Sequence, residues 1–171
     1  MKILSPGIAL FEDVFLQNEE LIALAEEGGY REGTVGAGGK PDHSQRITFV
    51  HDLQEDTLIY QELVQSSIEA IAEYAKEYKT SISTGERFRV GKYPESGYYK
   101  EHIDDGGGRN LSSVLFLNDD FDGGELYFKF QDLEIKPKAG SLVVFPSNFM
   151  YRHECKEVTN GNKFISFNFY S

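Results

Sequence analysis

The chain has 171 residues, of which 28 are acidic and 17 basic, so its net charge is -11. This length suits one domain with a sizeable core, whereas the negative charge and the lack of a basic cluster argue against nucleic acid or an anionic membrane surface as a partner. The single cysteine, Cys155, excludes an intramolecular disulfide. Because the sequence also has no signal-peptide pattern and no long apolar segment, we expect a cytoplasmic protein.

The first elements of the chain alternate between short strand patterns and a helical one. Ile8 to Phe15 is a predicted strand. Asn18 is predicted to cap a helix that begins with two glutamates and ends at Gly28. Residues 35–42, which are rich in glycine, are predicted to form a flexible loop, and Arg46 to Val50 is a predicted strand.

The longest helix is predicted over about residues 56–78. Apolar side chains recur there at spacings of three and four, which is the period of one helix face. Such a face needs a sheet or another helix to cover it. The predicted apolar stripe consists of Tyr60, Val64, Ile68, Ile71, Ala75 and Tyr78.

From about residue 86 the pattern changes to short strands with glycine-rich turns between them. Many short strands with regular turns indicate a sandwich or barrel, and helices placed earlier in the chain are expected to pack outside it. We therefore expect one domain over residues 1–171, with helical support over about 1–85 and the barrel over about 86–171. The predicted strands are residues 86–93, 111–117, 125–130, 141–145 and 163–170.

His102 and Asp104 are the first candidate metal ligands. In an extended chain, two residues at this spacing share a face, so an imidazole and a carboxylate could hold one divalent metal ion. The spacing alone is weak evidence, since a surface histidine beside acidic residues is common. His153 is the best third ligand because it follows an apolar strand that ends at a proline, whereas His43 and His51 are expected to face solvent.

Lys163 opens the last predicted strand, and alternation places it on the same face as Ile165, Phe167 and Phe169. This face is more uniformly apolar than the opposite one, so we expect it to point into the barrel. A buried ammonium without a partner costs several kcal/mol, and an anionic ligand inside the barrel would supply that partner. The alternative is that the lysine reaches water from the strand end.

In this order and on these elements, His102, Asp104, His153 and Lys163 resemble the ligand set of the 2-oxoglutarate/iron(II) oxygenases, specifically the prolyl 4-hydroxylase-like branch. The resemblance covers roughly residues 86–171. It is carried by three segments: YPESGYYKEHID from Tyr93, LFLNDDFDGGEL from Leu115, and GSLVVFP from Gly140 followed by His153 and Lys163.

The resemblance implies a mostly β fold with flanking helices, namely a double-stranded β-helix or cupin-like jelly roll. It also implies a role for each candidate residue. His102, Asp104 and His153 would ligate Fe(II), Lys163 would pair with the distal carboxylate of 2-oxoglutarate, Tyr93 would hydrogen-bond that co-substrate, and Tyr99 would line the substrate side. Arg109, at the end of the glycine-rich loop after Asp104, could reach the substrate. The alternatives are an aromatic core or rim position for either tyrosine and a solvated loop charge for Arg109.

The implied reaction consumes O2 and converts 2-oxoglutarate to succinate and CO2 while a C–H bond is hydroxylated, with ascorbate as a candidate reductant. A carboxylate at Asp104 favours hydroxylation over halogenation. The expected substrate is a peptidyl proline or another peptidyl side chain. The alternatives are a small molecule or free amino acid, and a non-catalytic cupin-like binding module. Phe169 stands where such prolyl hydroxylases often have tryptophan, which weakens the case for proline.

Overall fold

Short strands account for most of the regular structure in this computed structural model, which describes residues 1–36 and 39–171. The predicted loop at residues 35–42 therefore includes two residues, 37 and 38, that lie outside the described ones. The helices are α1, Asn18–Gly28, and α2, Leu58–Tyr78. The strands in chain order are β1 Lys2–Ser5, β2 Ile8–Phe11, β3 Arg31–Glu32, β4 Arg46–Ile47, β5 Phe49–Asp52, β6 Arg89–Tyr93, β7 Tyr98–His102, β8 Leu111–Phe116, β9 Asp122–Gly123, β10 Leu126–Phe128, β11 Leu133–Ile135, β12 Leu142–Pro146, β13 His153–Cys155, β14 Val158–Asn160 and β15 Lys163–Tyr170.

The strands form two main sheets. The larger has the order β1-β2-β12-β8-β15-β6-β5-β3, the smaller has the order β11-β10-β13-β7-β4, and β14 pairs with β9 separately. The strand pairs are antiparallel, and most join strands that are distant in sequence. Most of the hydrogen bonds between strands therefore join distant parts of the sequence rather than the two arms of a local hairpin.

Alternation along the strands divides the core into two layers. Phe116 and Phe145 of the larger sheet share one buried cluster with Phe128 of the smaller sheet. Their neighbours Leu115 and Val144 point the other way, into a second cluster with the side chains of α1 and α2. The order of layers is thus helices, larger sheet, smaller sheet, which confirms a mostly β fold with flanking helices.

The helices differ from their predictions in detail. The residue that caps α1 is Gln17, and Asn18 is already helical, so the predicted cap was wrong. Thr57 caps α2 by accepting a hydrogen bond from the backbone N–H of Tyr60. Within the described residues, neither helix is long and apolar enough to cross a membrane.

The buried face of α2 is rotated from the predicted stripe. Tyr60 and Ile71 are buried as expected, but Ile68 is 50% exposed. The sheet selects a face in which small and polar residues take part, because they allow the helix to approach closely. The buried residues of α2 are Ile59, Tyr60, Leu63, Ser67, Ala70, Ile71 and Tyr74.

The strand that was predicted from Arg46 to Val50 is in fact two strands in different sheets. β4 is an edge strand of the smaller sheet, and β5 lies within the larger sheet. The chain therefore crosses between the sheets at Thr48, which is buried. β15 spans the predicted residues 163–170, whereas β7 and β13, which carry candidate ligands, had no strand prediction.

Candidate metal centre and its cavity

Two neighbouring strands of the smaller sheet bring the candidate ligands together. His102 ends β7 and lies directly opposite His153, the first residue of β13. Asp104 follows two residues after the end of β7. The potential ligand atoms of His102, Asp104 and His153 all lie within 4.8 Å of one another. His153 was expected just after a core strand; instead a short helical turn separates it from β12, and it begins a strand of its own.

The other histidines that were considered as a third ligand lie outside this cluster. His43 is exposed and its Nε2 lies 3.5 Å from a carboxylate oxygen of Glu32. His51 was expected to face solvent, but it is buried and its Nδ1 donates to the carbonyl of Gly29 at 2.7 Å. The prediction for His51 was wrong because Gly28, at the end of α1, and Tyr30 pack against its ring.

A β-bulge in β7 decides which side chains face the ligands. His153 pairs with His102 and Cys155 pairs with Tyr99, so three residues of β13 lie opposite four of β7. Without the extra residue, Tyr99 and His102 would point to opposite faces. With it, the Tyr99 ring stacks on the His102 ring, with centroids 3.6 Å apart and planes at 13°.

The hydrogen bonds of the two histidines fix their tautomers. Nδ1 of His102 lies 2.8 Å from the carbonyl of Lys100, and Nδ1 of His153 lies 3.0 Å from the carbonyl of Tyr151. A carbonyl can only accept, so both Nδ1 atoms carry the proton. Each Nε2 lone pair is then directed at Asp104, 3.5 Å from a carboxylate oxygen.

This arrangement is suited to a cation at its centre. Two lone pairs that face a carboxylate repel it unless a positive charge lies between them. Burial, together with the nearby His153, lowers the pKa of His102 to about 3, so this ring stays neutral and a proton does not supply that charge at neutral pH. Two imidazoles and one carboxylate with open positions form the donor set of mononuclear non-haem iron(II) sites, and these residues fit that ion.

Asp104 is held by partners that the sequence analysis missed. The hydroxyl of Ser112 on β8 donates to its Oδ2 at 2.7 Å, and Ser147 lies 2.7 Å from the same hydroxyl. Burial alone would raise the pKa of Asp104, but the pKa is held below its usual value, and the hydrogen bond from Ser112 contributes to this. The carboxylate is therefore ionised and oriented before any ligand binds.

Lys163 lies on the interior face of β15, as predicted, and is 1% exposed. Its Nζ donates to the carbonyl of Gly124 at 2.7 Å and lies 3.1 Å from Sγ of Cys155. Among the described residues, no carboxylate lies within 4.0 Å of this ammonium. A buried positive charge that has only neutral partners is suited to binding an anion.

Lys163 and the ligand cluster open into the same cavity, whose volume is about 490 Å³. Tyr93 pairs with Lys163 across β6 and β15, and its ring centre lies 5.2 Å from the Lys163 Nζ. Arg109 also lines the cavity, where Glu86 binds its Nε at 2.6 Å and Phe169 stacks on it at 3.6 Å. All seven residues selected from the sequence therefore line one cavity of a size that suits a small ligand.

Cys155 also faces this cavity, and its thiol is expected to be inert. Burial raises the pKa of this thiol, although the adjacent Lys163 opposes the effect. The thiolate, which is the reactive form, is therefore scarce. At mildly alkaline pH, iodoacetamide should alkylate Cys155 at least about tenfold more slowly in the folded protein than in urea, as read by mass spectrometry. Equal rates in the two states would contradict this packing.

Comparisons with known proteins agree with this geometry. The model of the 2OG-Fe(II) oxygenase superfamily matches residues 88–171. Prolyl 3-hydroxylase 2 of Mus musculus is 42% identical over an alignment of 60 residues that covers 32% of this chain and 8% of that protein. The chain thus spans a small part of that relative.

Solved structures match over nearly the whole chain. A prolyl hydroxylase from Trichoplax adhaerens, in complex with a hypoxia inducible factor peptide fragment, has a TM-score of 0.79 at 17% identity over 96% of this chain and 83% of its own. A Pseudomonas putida prolyl-4-hydroxylase has a TM-score of 0.78 at 19% identity over 96% and 91%. At these identities the likeness establishes the fold. Residues 88–171, which contain the three candidate ligands and Lys163, match the 2OG-Fe(II) oxygenase superfamily.

Proposed function

We propose that this protein is an Fe(II)- and 2-oxoglutarate-dependent dioxygenase that hydroxylates a peptidyl side chain, with proline as the first candidate. The match of residues 88–171 to the 2OG-Fe(II) oxygenase superfamily implies that the protein uses Fe(II), 2-oxoglutarate and O2. The observation that carries the proposal is that one cavity contains both a candidate metal site and a candidate anion site. A two-histidine, one-carboxylate cluster lies beside a buried lysine that has no counter-charge among the described residues.

The ligand roles follow from the chemistry of the donors. His102 and His153 present their Nε2 atoms and Asp104 presents a carboxylate, so the three would hold Fe(II) on one face and leave the other open. The bound iron supplies the oxidising chemistry. The presence of Asp104 supports hydroxylation as the outcome, since halogenases leave this ligand position empty for a halide.

The co-substrate roles follow from charge. 2-Oxoglutarate is a dianion, and Lys163 would bind its distal carboxylate while its keto-acid end faces the metal ligands. Tyr93, which lies against Lys163, would add a hydrogen bond to the same carboxylate. Exchange of neutral partners for a carboxylate would compensate the cost of burying the Lys163 ammonium.

Tyr99 and Arg109 would contact the substrate. Tyr99 covers one face of His102 and thereby borders the position where a substrate approaches the metal. Glu86 already neutralises Arg109, so this residue would offer hydrogen bonds from a fixed wall rather than a free charge. Support for a peptide substrate comes from the prolyl hydroxylases that share the fold.

The whole chain would then be one oxygenase domain. The two facing antiparallel sheets would form the double-stranded β-helix of this superfamily, with α1 and α2 as its external support. A cytoplasmic location stays a prediction that rests on the single cysteine.

The purified protein should form succinate from 2-oxoglutarate in air when Fe(II) is supplied, even without a second substrate. Removal of the metal with EDTA should stop the reaction, because the metal ligands alone cannot carry the oxidation. Coupled hydroxylation should add the mass of one oxygen atom to proline-containing peptides. Absence of succinate under all of these conditions would refute the proposed dioxygenase activity. Succinate formation with hydroxylation only of free amino acids would refute a peptide as the substrate.

A further inference from the structure

Four arginines line the cavity, and they differ in how their charge is balanced. Arg31 binds Asp52, Arg89 binds Asp52 and Glu86, and Arg109 binds Glu86, all within 3.4 Å. Arg46 is the fourth, and among the described residues no carboxylate lies within 4.0 Å of its guanidinium. The four arginines that line the cavity are Arg31, Arg46, Arg89 and Arg109.

Among the described residues, the hydrogen bonds of the Arg46 side chain are with neutral groups. Its Nε donates to the hydroxyl of Thr48, and its Nη1 donates to the carbonyl of Thr34 at 3.0 Å. A guanidinium has five N–H donors and stays charged at any ordinary pH, so three donors remain for a ligand.

The fold holds this side chain in place beside the metal ligands. Arg46 is the cross-strand partner of Tyr99, and its guanidinium carbon lies 4.5 Å from the centre of that ring. Tyr99 in turn stacks on His102. The guanidinium, the phenol and the imidazole therefore form one stack that ends at the metal centre.

Gly33 gives the arrangement its space. A Cβ at this position would overlap the hydroxyl of Thr48 and lie 2.6 Å from Nε of Arg46. The backbone N–H of Gly33 also donates to the carbonyl of Thr48 at 2.8 Å. The backbone around Thr48, between β4 and β5, therefore leaves room for the side chain of Arg46.

We propose that Arg46 is a specificity-determining residue that binds an acidic side chain of the peptide substrate, close to the residue that is hydroxylated. This inference rests on the proposed function. A fork of N–H groups matches a carboxylate, and charge-assisted bonds of this kind are about twice as strong as neutral ones. The net charge of -11 repels acidic peptides at long range, but such repulsion is screened beyond about 8 Å at physiological salt, so local contacts decide the preference.

The test measures peptide binding apart from turnover. Fluorescently labelled peptides with a central proline and glutamate at the flanking positions are compared by anisotropy with peptides that carry glutamine there. The protein is loaded with Fe(II) and 2-oxoglutarate without O2. The wild type should bind the glutamate set about tenfold more tightly, which is the size expected of one charge-assisted contact.

Arg46→Gln should abolish this preference, and Arg46→Lys should retain part of it because the charge remains without the fork. Arg87→Gln is the matched control, since Arg87 is an exposed arginine bound to Glu55 and does not line the cavity. It should keep the wild-type preference. Thermal unfolding of each variant checks that it is folded.

Equal affinity of the wild type for both peptide sets, or a preference that persists in Arg46→Gln, would overturn the inference. Displacement of the glutamate peptides by free proline would also overturn it, since an α-carboxylate would then be the ligand. If Arg46→Gln raised the KM for 2-oxoglutarate as much as loss of Lys163, Arg46 would serve the co-substrate instead. The proposed dioxygenase activity is tested separately, by measuring succinate formation by the wild type.

Discussion

His102→Ala and His153→Ala should each reduce succinate formation from 2-oxoglutarate by more than about 100-fold. Even the outer partners of a metal ligand contribute about 10–100-fold to metal affinity or activity, so loss of a ligand should exceed that range. Each substitution removes one of the two Nε2 lone pairs that face Asp104. Fe(II) binding, measured by titration without O2, should weaken in parallel.

His43→Ala is the matched control for these variants. His43 was considered as a third ligand on sequence, but it is exposed and lies against Glu32, outside the cluster. Succinate formation by this variant should stay within about twofold of the wild type, as expected of a surface substitution. Activity lost in His43→Ala but retained in His153→Ala would place the metal elsewhere.

Lys163→Met should raise the KM for 2-oxoglutarate by about 30-fold or more and leave Fe(II) binding almost unchanged. Truncation of one partner of a buried charge pair costs about 2 kcal/mol or more, which corresponds to that factor. Methionine keeps most of the length of lysine without the charge, so packing against Tyr93 and Phe116 is retained.

Lys163→Met should not lower the thermal stability of the unliganded protein, although it weakens binding of 2-oxoglutarate. Without a bound dianion, the Lys163 ammonium is buried against a carbonyl and a thiol. Removal of such a charge is neutral or stabilising, so the melting temperature of Lys163→Met without ligand should be no lower than that of the wild type.

Lys76→Met, on the exposed side of α2, controls for the general effect of losing a lysine. 2-Oxoglutarate should raise the melting temperature of the wild type and of Lys76→Met, but not of Lys163→Met at the same concentration. An unchanged KM in Lys163→Met would mean that the distal carboxylate binds elsewhere in the cavity.

The sequence pattern placed the candidate ligands together more successfully than it predicted the strands that carry them. His102, Asp104, His153 and Lys163 were selected by their spacing, their positions on predicted strands and the family resemblance, and the structure brings them to one cavity. β7 and β13 were missed since a short strand has too few residues for alternation to be evident, and its pairing depends on a partner about 50 residues away.

Features that depend on long-range packing could not be predicted. The bulge that brings Tyr99 onto His102 results from the pairing of β7 with β13, which no local pattern encodes. The rotation of α2 depends on the shape of the sheet beneath it. One signal was present, since Ser112 and Ser113 interrupt an apolar strand, and a buried hydroxyl there requires a partner.

The charge balance of the arginines also became evident only in three dimensions. Arg46 looked like an ordinary polar residue of a short strand, whereas the fold places three other arginines against carboxylates and leaves this one with neutral partners among the described residues. Pairing of this kind joins residues that are tens of positions apart, so it carries no local sequence signal.

The most direct test of the central claim is the visible absorption of the protein titrated without O2. Chelation of Fe(II) by the keto-acid end of 2-oxoglutarate should give a charge-transfer band that requires the protein, the metal and the co-substrate together. The band should be absent in His153→Ala and should need much more 2-oxoglutarate in Lys163→Met. No band in the wild type with both ligands present, or a band of equal strength in His153→Ala, would contradict the assignment of this site.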